Sequence, residues 1–300
     1  MRINNNITAL NSHRQYGINN KNISKNMEKL SSGFRVNRAA DDAAGLAISE
    51  KMRSQIRGLN MASKNSQDAV SLVQTAEGGM QTIQDILQRM RELAVQSASD
   101  TNQNTVDRQA LQLEVNQLIE EIDQISKTTE FNKMQLLNGT GVFGDSTGNG
   151  GVIQAGANYD QTMTIMIGDM TSGGLGVDIL TNTNNVALTN PVSAGSLADD
   201  TLGIANQASA AEAISTIDVA LNKVSMARAK LGAYQNRLEY KIQNLDNQAE
   251  NVSAAESRIR DADMAKMMTE FTKNSILFQA STAMLAQANA LPQGVLQLLG

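Results

Sequence analysis

The chain has 300 residues, 25 Lys+Arg against 30 Asp+Glu, one histidine, no cysteine, no tryptophan and only 3% aromatic residues. A formal charge of −5 offers no global attraction to nucleic acid, and with no cysteine and a single histidine, His13, disulfides, thiolate catalysis and the usual zinc sites are excluded. So few aromatics suit helices packed along their length better than a thick globular core.

Residues 2–38 hold seven Lys/Arg and one acid, Glu28. Ile3, Ile7, Leu10, Ile23, Met27, Leu30 and Phe34 sit at helical spacing. Many asparagines weaken the intrinsic helix propensity here, so this segment is expected to order only against partners. Its charges are read as facing solvent or neighbouring subunits, in preference to lipid or nucleic acid. Gly33 interrupts the pattern and predicts a turn at 31–42.

A seven-residue seam then runs Ile48, Met52, Gln55, Leu59, Ala62, Ser66, Ala69, Val73, Ala76, Met80, Ile83, Leu87, Met90, Ala94. Such spacing keeps one stripe facing a partner helix over many turns and predicts a helix over about 43–99. Roughly 45 residues of helix extend about 70 Å at 1.5 Å per residue, a rod rather than a compact globule. A second helix is expected over about 105–128, with Leu111, Val115, Leu118, Ile122 and Ile125 inward.

Composition changes at Asn138-Gly139. Eleven of the 22 glycines lie between Gly139 and Gly176, and no Lys or Arg occurs from Met134 to Asn222. Residues 162–168 read as a strand, paired with 152–155 across a turn; the rest, to about 200, reads as loop. Helix resumes near 205 with a matching seam: Ala210, Ile214, Ile217, Leu221, Val224, Arg228, Leu231, Gln235, Leu238, Ile242, Leu245, Ala249, Val252. The apolar theme returns in a last helix that Pro292 is expected to break or end.

The final 27 residues carry no charge. Polar side chains such as Gln279, Ser281, Gln287 and Gln293 interrupt them too often for a span of about 20 apolar residues, so burial between subunits is expected instead of membrane insertion. The N-terminus lacks the apolar stretch and cleavage site of a secretory signal peptide. Catalytic signatures are missing: no HExxH, P-loop or Rossmann fingerprint. Asp41-Asp42, Glu120-Glu121 and Asp261/Asp263 read as helix-end or solvated acids, and the methionines of the seam as core. Hence no enzyme activity, cofactor or metal is expected.

The segments MRINNNITALNSHRQYG (1–17), LSSGFRVNRAADDAAGLAISEKMRSQIRGL (30–59), LQRMRELAVQSA (87–98) and EIDQISKTTEFN (121–132) resemble the N-terminal signature of bacterial flagellin. NRLEYKIQNLDNQAENVSAAESRIRDADMAKMM (236–268) and SILFQASTAMLAQANALPQGVLQLL (275–299) resemble its C-terminal signature. The middle departs from large flagellins; only IQAGANYDQTMTI (153–165) looks like the family's hairpin.

The resemblance implies a mainly α fold, an elongated coiled-coil and helical bundle of the N- and C-terminal segments with a small β-hairpin insert. Its expected division is 1–43 plus 257–300 as an inner coiled coil, 44–138 plus 203–256 as an outer bundle, and 139–202 as the insert. It implies a subunit of the helical flagellar filament, extracellular and exported unfolded through a type III channel. The implied partners are other copies of the chain, the cap, the hook–filament junction proteins, an export chaperone and a vertebrate toll-like receptor. Polymerisation is expected at Ile3, Ile7, Leu10, Phe278, Leu285 and Leu291, and receptor contact at Gln88, Arg89, Leu93 and Glu114. The rival readings are a hook–filament junction protein, against which the 275–299 motif speaks, and a chemoreceptor-like hairpin, which would need a membrane span.

Overall fold

A computed structural model describes residues 6–99, 105–144, 150–181, 203–204 and 207–299, with side chains left out at 105–106 and 291–299. The chain forms two compact units: unit 1 from residues 1–57 and 248–300, and unit 2 from residues 58–247. The expected boundaries near 43/44 and 256/257 coincide roughly with helix ends, whereas these units divide within two long helices.

Unit 1 contains α1 (Ile7–Ser32), α6 (Met264–Leu299), the start of α2 (Ala43–Ala98) and the end of α5 (Gln207–Arg260). α1 and α6 run antiparallel: Asn19 donates to Ser281 Oγ at 2.7 Å, and the Tyr16 and Phe278 rings lie 4.9 Å apart. No residue of α1 is fully buried, as expected of a helix with a single partner.

At the other end of α1, Gly33 adopts φ +73°, a left-handed conformation that a side chain would strain, and its N–H returns to the Lys29 carbonyl at 2.9 Å. Phe34 then bridges to Asp261, and the Arg260 guanidinium stacks 4.7 Å from the Phe34 ring while reaching Glu50 at 2.9 Å. In the turn that follows, Asp41 Oδ2 accepts the N–H groups of Arg38 and Asn37 at 3.3 and 3.4 Å.

The Arg38 N–H, followed by Asn37 and the nearby Lys29 and Lys25, holds the Asp41 carboxyl below its ordinary range despite some desolvation. A carboxyl whose folded pKa is depressed stabilises the turn above its unfolded value and loses that contribution as pH falls through the folded value. The Asn37 and Arg38 amide resonances are therefore expected to shift as pH falls below about 4. In Asp41→Asn the same titration should be silent.

The expectation that Pro292 ends the last helix is corrected, because α6 continues to Leu299. Proline has no N–H, so the Ala288 carbonyl, four residues earlier, loses its helical donor. Asn6 replaces it: Nδ2 donates to the Ala288 carbonyl at 2.7 Å, while Oδ1 accepts the Ala9 N–H at 3.1 Å and caps α1. Asn6→Ala should destabilise the pair by about 1 kcal/mol per hydrogen bond. In a Pro292→Ala background, where the helix supplies its own donor, part of that penalty should vanish. Thermal melts of the four proteins of this cycle test the coupling.

Unit 2 holds the remainder of α2 and α5, α3 (Thr105–Thr128), and two antiparallel hairpins: β1 (Glu130–Phe131) with β2 (Met134–Gln135), and β3 (Gly151–Gln154) with β4 (Thr162–Ile165). A short α4 (Ser172–Leu175) and a 3-10 turn (Asp178–Leu180) follow. The first seam divides at the unit boundary. Every position from Leu59 to Ala94 is buried, whereas Ile48, Met52 and Gln55, in unit 1, are not.

On α5 the seam positions Ala210, Ile217, Val224, Leu231, Leu238 and Leu245 are buried, and those between them are half-buried. One of these, Arg228, donates to Gln84 Oε1 at 2.6 Å and approaches Glu77 at 3.4 Å. Met163 and Ile165 of β4 point into this core and alternate with exposed Thr162 and Thr164. The mainly α fold with a small β part that the sequence predicts is what is observed.

Candidate functional site

Two exposed surfaces answer the candidate residues. On unit 1, Ile7 and Leu10 are 69% and 65% exposed, on the side of α1 turned away from α6. Phe278 is half-buried against Tyr16, and Leu285 is also half-buried. Ile3 and the Leu291 side chain lie outside the described residues. Absent from the expected set are Ile276, Leu277 and Met284, which α6 exposes along with Met264 and Met268 nearer its start. Their phase on the helix relative to Phe278 was the available signal.

On unit 2, Arg89 of α2 reaches across to Glu114 of α3, with Nη2 to Oε1 at 2.9 Å, and pairs with Glu92 at 3.1 Å. The Glu114 hydrogen bond, and then that of Glu92, raise the guanidinium pKa above its ordinary value, so it stays charged. Gln88 is exposed beside it. Leu93 does not join this patch. It is 1% exposed and belongs to the core beneath, which its place beside seam positions Met90 and Ala94 explains. On the other side of α2, Arg91 pairs with Asp218 of α5 at 2.7 Å.

Among the described residues no cluster of acids and histidine could hold a metal, and no helix is long and apolar enough to cross a membrane.

Residues 3–141 match the model of the bacterial flagellin N-terminal helical region, and residues 214–299 match that of the C-terminal helical region. The chain belongs to the bacterial flagellin family. It is 53% identical over 310 residues to a flagellin of Bacillus subtilis, covering all of both chains. It is also 49% identical over 304 residues to a flagellar filament core protein of Treponema maltophilum, again over all of both. A solved structure described as a hook-associated flagellar protein of Vibrio parahaemolyticus covers 74% of this chain and 100% of its own, with a TM-score of 0.54. At 15% identity it shares the fold alone.

Flagellins are structural proteins, and this flagellin is accordingly a structural subunit of the flagellar filament. Full-length matches at this identity weigh against the junction-protein reading.

Proposed function

We propose that unit 1 is the polymerising half of this flagellin and that unit 2 is the part that folds without help from neighbouring copies. The observation that carries this is α1: a 26-residue helix with no fully buried residue that exposes Ile7, Leu10, Ile18 and Met27. Such a helix is stable only when neighbours cover it. Heterologous contacts repeated without closure then build an open helical polymer.

On this reading subunits travel unfolded through a type III channel, escorted by a chaperone on about 264–300. They are ordered beneath a cap protein and join junction proteins at the hook. The finer division follows the same logic, with 1–43 and 257–300 as the inner coiled coil, 44–138 and 203–256 as the outer bundle, and 139–202 as the insert. Electron microscopy of purified protein after seeding tests the reading: long helical filaments are expected, and persistent monomers would refute it.

We further infer that Gln88, Arg89 and Glu114 form a contact for the vertebrate innate receptor. The Arg89–Glu114 pair supports this by presenting a fixed guanidinium and carboxylate on the surface. Leu93 contributes from below, by holding the patch up. Arg89→Ala should weaken signalling in a receptor reporter assay by roughly tenfold, the cost of one charge-assisted contact. An undiminished response would remove the role.

A further inference from the structure

We propose that Asn138-Gly139 is a modification site gated by the fold of unit 2. In the folded chain a bend holds the Asn138 carboxamide away from its own backbone. In the unfolded chain the carboxamide is lost as ammonia, and the position becomes aspartate or isoaspartate. Neither state depends on assembly with other copies.

The chemistry needs only the chain and water. The Gly139 amide nitrogen, its proton given up to hydroxide, attacks Asn138 Cγ. A new N–C bond closes a succinimide ring, and the Cγ–Nδ2 bond breaks as ammonia leaves with a proton from water. Water then opens either N–C bond of the ring. Breaking the one at Cγ leaves aspartate. Breaking the one at the backbone carbonyl carbon leaves isoaspartate, whose main chain runs through the former side chain. One water is taken up and one ammonia released, with no change of oxidation state. Glycine hinders the attack least, having no Cβ beside the nitrogen, and asparagine is a thermolabile residue.

The carboxamide of Asn138 is held at both ends. Oδ1 accepts the N–H groups of Thr140 and Gly141, each at 3.2 Å, and Nδ2 donates to Gln135 Oε1. To bring Cγ onto the Gly139 nitrogen, the side chain must turn and release all three. The backbone beside it is fixed too. Leu136 and Leu137 are buried, the Leu136 N–H donates to the Thr129 carbonyl at 3.2 Å, and the Leu137 carbonyl accepts the Met170 N–H at 2.8 Å. Gly139 is buried at φ +69°, where a Cβ would lie 2.6 Å from Asp169 Cβ. Reaction in the folded chain therefore waits on local opening, and its rate scales with the fraction open.

The products do not fit the bend. Aspartate has no donor for Gln135 Oε1. Gln135 cannot offer its own amide without giving up the Lys127 carbonyl, which Nε2 reaches at 3.1 Å. Isoaspartate inserts a methylene into the main chain between Leu137 and Gly139, both of which are pinned. A chain that lingers unfolded is thereby marked, and a folded one keeps its asparagine.

The test incubates full-length protein at mildly alkaline pH in guanidinium chloride and, in parallel, in NaCl of equal concentration. A protease that cuts before aspartate releases residues 123–144 and so separates Asn138 from Asn149, the other asparagine followed by glycine. It cuts again at 138 where aspartate has formed, whereas isoaspartate leaves the peptide whole at raised mass. Loss of Asn138 is expected to be at least about tenfold slower in the folded protein. Equal rates would overturn the proposal.

As a second arm, Gln135→Ala removes the acceptor of Nδ2 at an exposed position. It should speed the reaction severalfold in NaCl and leave it unchanged in guanidinium. A rate in NaCl equal to wild type would overturn the hold assigned to the carboxamide. Modified chains returned from guanidinium should unfold at a lower urea midpoint than unmodified ones. An equal midpoint would show that the bend accepts the products, against the proposal.

Discussion

Removing residues 275–300 should leave a protein that stays monomeric on seeding while unit 2 melts as it does in the intact chain. The deletion takes away the α6 side of every described link to the first half of α1: Phe278 against Tyr16, Ser281 and the Leu277 carbonyl against Asn19, and the Ala288 carbonyl against Asn6. Left alone, α1 is a 26-residue helix rich in asparagine, below what helix propensity can sustain in water. Circular dichroism should therefore show more helix lost than the deleted residues contain. The buried seam from Leu59 to Ala94 lies wholly in unit 2 and loses nothing. Seeded growth by the truncated protein would show that unit 1 is not the polymerising half.

Gln112→Leu should lower the stability of unit 2 by about 2–5 kcal/mol, since each buried polar group left without a partner costs roughly 1–3 kcal/mol. Gln112 is 6% exposed. Its Nε2 donates to the Leu180 carbonyl at 2.9 Å and to Asn116 Oδ1 at 2.8 Å, and its Oε1 accepts the Ile204 N–H at 2.6 Å. Ser97 Oγ donates to the Ile204 carbonyl from the other side.

Leu180 and Ile204 are both buried, so their freed backbone groups could not turn to water. Gly203 completes the arrangement: at φ +114° it occupies a conformation closed to most residues, and a Cβ there would lie 2.7 Å from Gln112 Oε1. Gly203→Ala should accordingly reproduce part of the loss. Urea unfolding followed by circular dichroism reads both effects as a fall in midpoint at constant slope. A midpoint unmoved in Gln112→Leu would mean that this side chain does not tie the two segments together.

The long helices were legible because their signal is repetitive. The seam from Ile48 places α2 to within a residue of its observed end at Ala98, and 105–128 is α3 as read. The β3–β4 hairpin was legible from alternation around Met163 and Ile165. What escaped depends on single side chains acting at a distance.

The β1–β2 hairpin turns through Asn132 and Lys133, both at positive φ, without the glycine that usually marks such a turn. α4 is set by Thr171, whose side chain caps the Gly174 N–H inside a glycine-rich stretch that reads as loop. Pro292 reads as a helix stop because nothing local reveals Asn6, 282 residues away from the Ala288 carbonyl to which it donates. At the charged patch, Arg89 and Glu114 were placed together by resemblance alone, since pairing across two helices leaves no trace in spacing. Leu93 was the reverse case: its burial was readable from the seam, and the resemblance set that aside.

The guanidinium of Arg228 gives the α2–α5 pair a defined mechanical response. Leucine and alanine seams resist sideways separation, yet one heptad looks much like the next, so they resist axial slip poorly. Sliding α5 by one heptad, about 10 Å at 1.5 Å per residue, moves Arg228 from Gln84 and Glu77 toward Arg91 in one direction, where like charges meet. The same step breaks Arg91 from Asp218 and Ser63 from Asp246. Three polar pins set along the interface thus convert a slippery contact into one that stores shear elastically and returns to its original register when the load is released.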